Sequence, residues 1–163
     1  MPAFKLLFVC MGNICRSPAA EAVMKHLVER EGLSERIHID SAGTLGLHAG
    51  NQADARMRTA GYNRGYDLTS IARQVSRYDF EEFDLILVMD RQNRRDIRSF
   101  EPKNTSTEQL RLFCEFCTEH KEAEVPDPYY GGPQGFEQVL DLLEDGCEGL
   151  LRHIRAEIGA DGK

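Results

Sequence analysis

The sequence contains no long apolar run. None of its apolar stretches approaches the roughly 18 to 20 residues that a helix needs to span a bilayer. The apolar residues near the start, 6–10, are too few for the core of a secretion signal, and no proper cleavage site follows them. We therefore expect a soluble cytoplasmic protein without a membrane partner.

Positive charge is not in excess either. The chain has 20 Lys and Arg residues against 27 Asp and Glu residues, which gives a formal net charge of −7. A surface with this balance does not attract nucleic acid or anionic lipid as a whole. No nucleic-acid partner is expected, and any affinity for anions must be local.

Repeats, low-complexity tracts and Gly/Ser linkers are absent as well. The 163 residues, 41% of them apolar, are enough for one domain with a real core. We expect a single domain over residues 1–163, with the polar stretch 101–108 as a loop between elements. The five cysteines, an odd number in a chain of this size, favour reduced thiols over a disulfide framework.

Apolar spacing predicts alternating strands and helices. Strands are expected at 4–9, 37–43, 84–90 and 110–116, and a helical pattern overlaps the last of these. Helices are expected at 17–32, 53–61, 91–100 and 136–158. Ser17 is the expected N-cap of the first helix and Gly32 its C-terminal cap. This order predicts an α/β fold, a single domain with a central four-stranded parallel sheet and helices on both faces. Ligands of such folds bind at the carboxyl ends of the strands, the first of which is Cys10.

The loop between the first strand and the first helix has the composition of an oxyanion site. A loop at a helix N-terminus turns backbone N–H groups inward, and the helix adds about half a positive charge there. Arg16 adds a planar fork for two oxygens. The same positive field favours the thiolate form of Cys10, which makes this sulfur a nucleophile at neutral pH. The other residues of the loop that we expect to bind the ligand are Met11, Gly12, Asn13, Ile14, Cys15 and Ser17.

Two residues of this loop have further expected roles. Gly12 permits a left-handed backbone, or a close approach that a side chain would block. The Ser17 hydroxyl is close enough in sequence to hydrogen-bond the Cys10 sulfur as well as to cap the helix. A simpler interpretation is that Cys10 and Cys15 are small core residues at a strand–helix junction.

The segment CMGNICRSP, residues 10–18, resembles the signature loop of the low-molecular-weight protein tyrosine phosphatases. Further segments follow in the order of that family: DSAGT (40–44), ADAR (53–56), ARQV (72–75), FDLILVMD (83–90) and DPYYGG (127–132). The resemblance therefore spans nearly the whole chain. It implies a phosphatase without metal or cofactor that hydrolyses phosphotyrosine, or other aryl phosphates, through a phosphocysteine intermediate. Its partners would be tyrosine-phosphorylated proteins or small aryl phosphates.

Cleavage of an aryl phosphate also calls for a general acid. A positioned acid that protonates the leaving oxygen contributes about 10² to 10⁴ in rate. Asp127 lies between Pro126 and Pro128, each of which has a fixed φ. The resemblance assigns the acid role to Asp127; without it, a turn-forming aspartate would explain the residue equally well.

The resemblance also implies the walls of the substrate cleft. They would be formed by Tyr129 and by the segment around Leu47 and His48, and Tyr130 is counted among the binding residues with them. Two positions depart from the family pattern. Leu47 stands where many members have Trp or Tyr, and Ser70 stands where animal members have a histidine near the loop, so the substrate preference is the least defined part of the prediction.

Three other functions remain open. An arsenate reductase-like oxidoreductase would use the same loop and would need Cys114 and Cys117 to relay electrons. The phosphoarginine phosphatases resemble this family but carry threonine at the position of Ile14, so the isoleucine favours phosphotyrosine. A sensor of phosphorylated ligands would use the loop for binding alone.

The remaining cysteines and strand-end aspartates complete the prediction. The resemblance supports a reversible disulfide between Cys10 and Cys15 that shields the nucleophile from overoxidation. Cys114, Cys117 and His120 have the spacing of half a zinc site, but the second half is missing, so no metal site is expected. Only capping or core packing is expected for Asp40, Asp84, Asp90 and Cys147.

Overall fold

The computed structural model describes residues 3–103 and 107–159. In this part of the chain the strands are β1 (Phe4–Cys10), β2 (Ile37–Gly43), β3 (Leu85–Val88) and β4 (Leu110–Leu112). The α-helices are α1 (Arg16–Arg30), α2 (Ala55–Tyr62), α3 (Asp79–Glu82), α4 (Arg91–Ile97) and α5 (Pro133–Gly159). Short 3₁₀ turns lie at Arg98–Phe100, Thr107–Gln109 and Phe113–Phe116.

The strands form one parallel sheet in the order β2-β1-β3-β4 among the described residues. Strand β1 pairs with β2 along its whole length and with β3 on its other side, where Val9 lies beside Val88. The carboxyl ends of β1 and β3 are therefore neighbours. Cys10, at the end of β1, and Asp90, just after β3, open onto the same edge of the sheet.

Both faces of the sheet are covered. Leu6 and Phe8 pack on one face with residues of α1, α2 and α5, while Leu7 and Val9 pack on the other with residues of α3 and α4. All four side chains are fully buried. Side chains alternate between faces along a strand, so a strand covered on both faces has a continuous apolar run. The predicted single-domain α/β fold, with a four-stranded parallel sheet and helices on both faces, is confirmed.

Several predicted boundaries are wrong. Helix α1 begins at Arg16 with Cys15 in the cap position and no side-chain cap, because the Ser17 hydroxyl is bound to other side chains. The fourth strand ends at Leu112, where the Glu115 carboxylate accepts the backbone N–H of Leu112 and the chain turns into the 3₁₀ segment.

At two helices the pattern misjudged an end, and one helix was not predicted. Helix α5 begins at Pro133 rather than Phe136, since proline suits the first helical turn. The helix expected over 91–100 is α-helical only to Ile97 and continues as a 3₁₀ turn. Helix α3 is too short for a periodic pattern. The bounds of the other strands and helices agree with the prediction to about two residues.

The polar stretch predicted as a loop at 101–108 is described only in part. Residues 104–106 lie outside the described residues, as do 1–2 and 160–163 at the ends of the expected domain. Thr107–Gln109 forms a 3₁₀ turn instead of an open loop. Within the described ranges, no helix is both long and apolar enough to cross a membrane.

Candidate active site

The carbonyl groups of the loop at residues 11–15 accept hydrogen bonds from neighbouring segments, which fix the loop in place. The Met11 carbonyl accepts a hydrogen bond from Leu45 N–H at 2.9 Å, and the Ile14 carbonyl accepts one from Asp54 N–H at 2.8 Å. The N–H groups of residues 12–15, in contrast, donate to no other described residue. The loop therefore directs carbonyl groups to its supports and keeps donors for an anion, as expected of an oxyanion-binding nest.

Asn13, rather than Gly12, adopts the left-handed conformation that was one of the two expectations for the glycine. Its φ is 57°, a region that asparagine tolerates better than most residues, and Gly12 has no positive φ. The predicted close approach does hold at Gly12, since a Cβ there would lie 3.0 Å from the His48 ring. The left-handed backbone of Asn13 carries its side chain into the protein, where it is buried.

A chain of hydrogen bonds runs from the Glu21 carboxylate to the Cys10 sulfur. The Asn13 amide nitrogen donates to the hydroxyl oxygens of Ser17 and Ser41, at 2.7 and 3.0 Å. The Ser41 hydroxyl donates to the Glu21 carboxylate at 2.6 Å. The Ser17 hydroxyl lies 3.0 Å from the Cys10 sulfur. The backbone N–H of Arg73 donates to the Asn13 amide oxygen at 3.0 Å, which fixes which way the amide points.

Arg16 is almost fully buried and is held by two acceptors. One nitrogen of its guanidinium donates to Asp90 at 2.6 Å and to the Val125 carbonyl at 3.0 Å. Burial alone would lower the pKa of Arg16, but the electrostatic interaction with Cys10 and the hydrogen bond to Asp90 raise it, so the guanidinium stays charged. Asp90 was expected to cap a helix only. It does cap α4, through Asn93 N–H at 2.7 Å, and it also orients Arg16.

Asp127 lies at the mouth of the same site. One of its carboxylate oxygens is 3.7 Å from the second terminal nitrogen of Arg16, and the other accepts the Tyr129 N–H at 3.1 Å. About a third of the side chain is exposed. The site thus brings the arginine of the loop and the carboxylate of the DPYY segment together, although they are far apart in the sequence.

A family model described as low molecular weight phosphotyrosine protein phosphatase matches residues 5–160. The chain belongs to this family. The resemblance seen in the sequence is confirmed.

Individual relatives of the phosphatase family agree with this assignment. A curated low molecular weight protein-tyrosine-phosphatase of Synechocystis is 47% identical over 94% of this chain and 98% of its own. The crystal structure of a protein tyrosine phosphatase from Entamoeba histolytica, with Hepes in its active site, is 49% identical, with a TM-score of 0.90 and coverage of 97% and 99% of the two chains. The chain is also similar to the crystal structure of an arginine phosphatase of Drosophila. The identity is 31% and the TM-score is 0.86, with coverage of 93% of this chain and 98% of the other.

Aromatic rings line one side of the mouth in this member of the phosphatase family. The rings of His48 and Tyr129 are 6.5 Å apart between centroids, and the Arg56 guanidinium lies 5.2 Å over the Tyr129 ring. Tyr130 touches Tyr129 edge-on but is 92% exposed, and Leu47 is 80% exposed. Tyr129 and His48 therefore form a contact pair, whereas Leu47 and Tyr130 are at the surface.

The second cysteine of the phosphatase loop is buried beside the first. All five cysteines of the chain are free thiols. Burial raises the pKa of the Cys15 thiol far above its ordinary value, and the Asp54 carboxylate raises it further. Cys15 therefore remains a protonated thiol at neutral pH. Ser70, which departs from the family pattern, is half-buried and has no hydrogen bond to the described residues.

Sequence reasoning missed the supports of the loop. Ser41 and Glu21 were not singled out, although Glu21 lies four residues after Ser17 and hence on the same helix face. Asp90 follows a strand of the sheet, and the rule that sites form at carboxyl ends could have found it. No arrangement of three or more His, Cys, Asp or Glu side chains in the described residues could hold a metal ion.

Proposed function

We propose that this chain is a cysteine-dependent phosphatase that hydrolyses phosphotyrosine and related aryl phosphate monoesters through a phosphocysteine intermediate. The observation that carries the proposal is the convergence on one loop of the Cys10 sulfur, unpaired backbone donors and the buried, oriented Arg16. Membership in the phosphotyrosine phosphatase family supports the same activity.

The loop would bind the phosphoryl group. The N–H groups of residues 12–15 and the first turn of α1 provide donors and positive potential. Arg16 adds a permanent charge, and its orientation is set before substrate arrives by Asp90 and the Val125 carbonyl. Donors fixed in advance stabilise the charge of a phosphoryl transition state without reorganisation.

The first chemical step is attack by Cys10. Its thiolate forms a bond to phosphorus while the bond from phosphorus to the aryl oxygen breaks. The hydroxyl of Ser17 donates to the sulfur when the sulfur is ionised. Asp127 gives its proton to the departing oxygen, so that a neutral phenol leaves.

The second step returns the enzyme to its starting state. Asp127, now ionised, takes a proton from water as the water oxygen attacks phosphorus. The sulfur–phosphorus bond breaks, inorganic phosphate forms and Cys10 is again a thiolate. One carboxyl group thus serves both half-reactions, and no cofactor takes part in this scheme.

The aromatic wall favours aryl substrates. The half-buried Tyr129 and His48 offer flat faces beside the mouth, against which a phenol ring stacks. Tyrosine-phosphorylated proteins or small aryl phosphates are the proposed substrates. The cytoplasmic location stays a prediction from the sequence, as do the assigned roles of individual binding residues.

Similarity to an arginine phosphatase gives a second candidate substrate. Ile14 stands where the phosphoarginine phosphatases carry threonine, and it packs partly into the apolar core. That packing favours the phosphotyrosine assignment. An arsenate reductase and a sensor without turnover would use the same loop. The reductase would reduce arsenate, and the sensor would bind a phosphorylated peptide without hydrolysing it.

The decisive experiment is a substrate panel with a matched cysteine pair. Wild-type protein is assayed with a phosphotyrosyl peptide, a phosphoarginyl peptide and arsenate plus a thiol reductant. We expect hydrolysis of the phosphotyrosyl peptide to dominate and Cys10→Ser to abolish it. Cys117→Ser, which changes a cysteine outside the site, should keep it. Appreciable turnover by Cys10→Ser, or faster release of phosphate from phosphoarginine, would contradict the proposal.

A further inference from the structure

The turn after the last strand brings two cysteines together. Phe113–Phe116 is a 3₁₀ turn, closed by a hydrogen bond of 3.1 Å from Cys117 N–H to the Cys114 carbonyl. Side chains three residues apart in such a turn eclipse one another. The Cα atoms at the ends of a four-residue turn lie within about 7 Å, which overlaps the separation that a disulfide bridges.

The two sulfurs differ in environment and interact with each other. Cys114 is buried, while Cys117 is partly exposed. The Cys117 thiol donates to the Leu142 carbonyl at 3.6 Å. The contact with Cys117 lowers the pKa of Cys114, although burial and the carboxylate of Glu122 oppose this. A thiol pair in which one sulfur is stabilised as thiolate by the other is poised for thiol–disulfide exchange.

The surrounding structure fixes this turn. The Asp145 carboxylate on α5 accepts the backbone N–H groups of Thr118, Glu119 and His120 at 3.0, 3.0 and 2.8 Å. Close packing adds to this, since a Cβ at Gly149 of α5 would lie 2.0 Å from the Phe116 carbonyl. The backbone positions of the two cysteines are therefore fixed three residues apart in one turn, and bringing the sulfurs together costs little further entropy.

A metal site does not account for the pair. His120 is the nearest third ligand in the sequence, but its Nδ1 lies 3.0 Å from Asp145 and forms a hydrogen bond there. No set of three potential ligands is assembled in the residues that the structure describes. Cys114 is a buried member of the apolar core, whereas Cys117 packs against that core and stays partly exposed, so its sulfur remains accessible.

We propose that Cys114 and Cys117 form a redox-active dithiol that closes to a disulfide by exchange with a small-molecule disulfide of the glutathione type. One thiolate of the pair attacks a sulfur of oxidised glutathione, whose S–S bond breaks to release one glutathione. The second thiolate attacks the protein sulfur of the mixed disulfide and releases the other. The pair loses two electrons and two protons, and two molecules of reduced glutathione carry them away. This chemistry is independent of the phosphatase reaction.

Peptide mapping tests the proposal on the whole folded protein. The chain is equilibrated with reduced and oxidised glutathione at a series of ratios, quenched with acid, denatured, alkylated and digested with trypsin. Cys114 and Cys117 share one tryptic peptide, residues 112–121, whereas Cys10 and Cys15 share another, 6–16. We expect peptide 112–121 to become about 2 Da lighter and to resist alkylation as oxidised glutathione increases. Dithiothreitol should restore two alkylated cysteines.

Two controls make the result specific. Cys147, fully buried and single, lies in peptide 122–152 and should be alkylated only after denaturation, at every ratio. The double variant Cys10→Ser/Cys15→Ser should still oxidise peptide 112–121, because no relay from the active site is needed. Full alkylation of both cysteines at all ratios would overturn the proposal. A glutathione adduct on Cys117 that never resolves to the internal disulfide would overturn it as well.

Discussion

The Ser17 hydroxyl lies 3.0 Å from the Cys10 sulfur, and a second acceptor for its proton, the Ala42 carbonyl, is 3.4 Å away. The direction in which this proton is donated depends on groups two side chains away. Because Glu21 accepts from Ser41, the Ser41 oxygen is free to accept from Asn13. The amide nitrogen of Asn13 then also donates to the Ser17 oxygen, so the Ser17 proton is not used in that contact. The proton therefore points to the nearer Cys10 sulfur or to the Ala42 carbonyl, and donation to the sulfur stabilises a negative charge there.

Removing this donor should slow catalysis. A hydrogen bond to a charged group is worth about 1.5 to 3 kcal/mol, so we expect Ser17→Ala to lose roughly 10- to 100-fold in kcat. The measurement is kcat for p-nitrophenyl phosphate, whose leaving group needs little protonation. Ser99→Ala, at an exposed serine whose hydroxyl donates to the Asp96 carbonyl, is the control and should match wild type. Wild-type kcat in Ser17→Ala would remove the serine from the mechanism.

Asp127→Ala should be most harmful where the leaving group is poor. We expect a loss of about 10² to 10⁴ in kcat for phenyl phosphate or phosphotyrosine, and a smaller loss for p-nitrophenyl phosphate. Asp67→Ala is the matched control, because Asp67 is exposed and outside the site. A plot of log kcat against leaving-group pKa should be steeper for the variant than for wild type. Parallel lines would mean that Asp127 is not the acid.

Asp90→Ala tests whether the orientation of Arg16 matters. Loss of the α4 cap should cost about 1 kcal/mol of stability, and loss of the Arg16 partner should weaken binding of inorganic phosphate. Asp54→Ala is the matched variant, since Asp54 caps α2 with its side chain but does not contact Arg16. Both should lower Tm, and only Asp90→Ala should raise the inhibition constant of phosphate. Equal inhibition constants would limit Asp90 to capping.

The pKa of Cys15 sets the pH dependence of the predicted disulfide switch. Burial and the Asp54 carboxylate raise this pKa, so Cys15 is protonated at neutral pH and its thiolate fraction grows about tenfold per pH unit. After oxidation of Cys10 by peroxide, disulfide closure by Cys15 should therefore accelerate as the pH increases. The measurement is the fraction of activity that dithiothreitol recovers after a fixed peroxide pulse between pH 6 and 9. In Cys15→Ser this fraction should fall sharply and lose its pH dependence.

Asp145 should stabilise the fold only when it is ionised. The N–H donors of residues 118–120 and His120 lower its pKa against the opposing effect of burial. A depressed folded-state pKa gives stability that is present above the unfolded pKa of about 3.9 and is lost as the pH falls towards the folded value. Asp145→Asn should thus have a lower free energy of unfolding than wild type at pH 7, and this difference should narrow below about pH 4. Urea unfolding across this pH range measures the difference. The control Asp67→Asn should have the same free energy of unfolding as wild type.

The placement of the loop residues was predictable because they are contiguous in the sequence. Cys10 and Arg16 lie in one short segment between a clear strand and a clear helix, so spacing alone placed them together. Asp127 needed the family resemblance, since nothing local indicates that it approaches Arg16 to 3.7 Å. Contacts between distant segments depend on the strand order, which a periodic pattern does not specify.

The errors have physical causes too. Gly12 was the natural candidate for a left-handed residue, but Asn13 takes that conformation because its buried side chain makes hydrogen bonds to Ser17, Ser41 and Arg73. Ser17 was a good N-cap by type and instead bonds the sulfur. In both cases a tertiary contact outweighed a local preference.

The hydrogen-bond chain behind Cys10 has a consequence for biosynthesis. Its members come from the loop, from the body of α1 and from β2, so a nascent chain that has not yet docked residue 41 beside the first strand lacks part of the support. A nascent chain that ends before residue 41 therefore lacks the link between Glu21 and Asn13, and this link forms when β2 pairs with β1. All members of the hydrogen-bond chain lie within residues 10–41, so the support of the sulfur is encoded well before Val125 and Asp127 are synthesised.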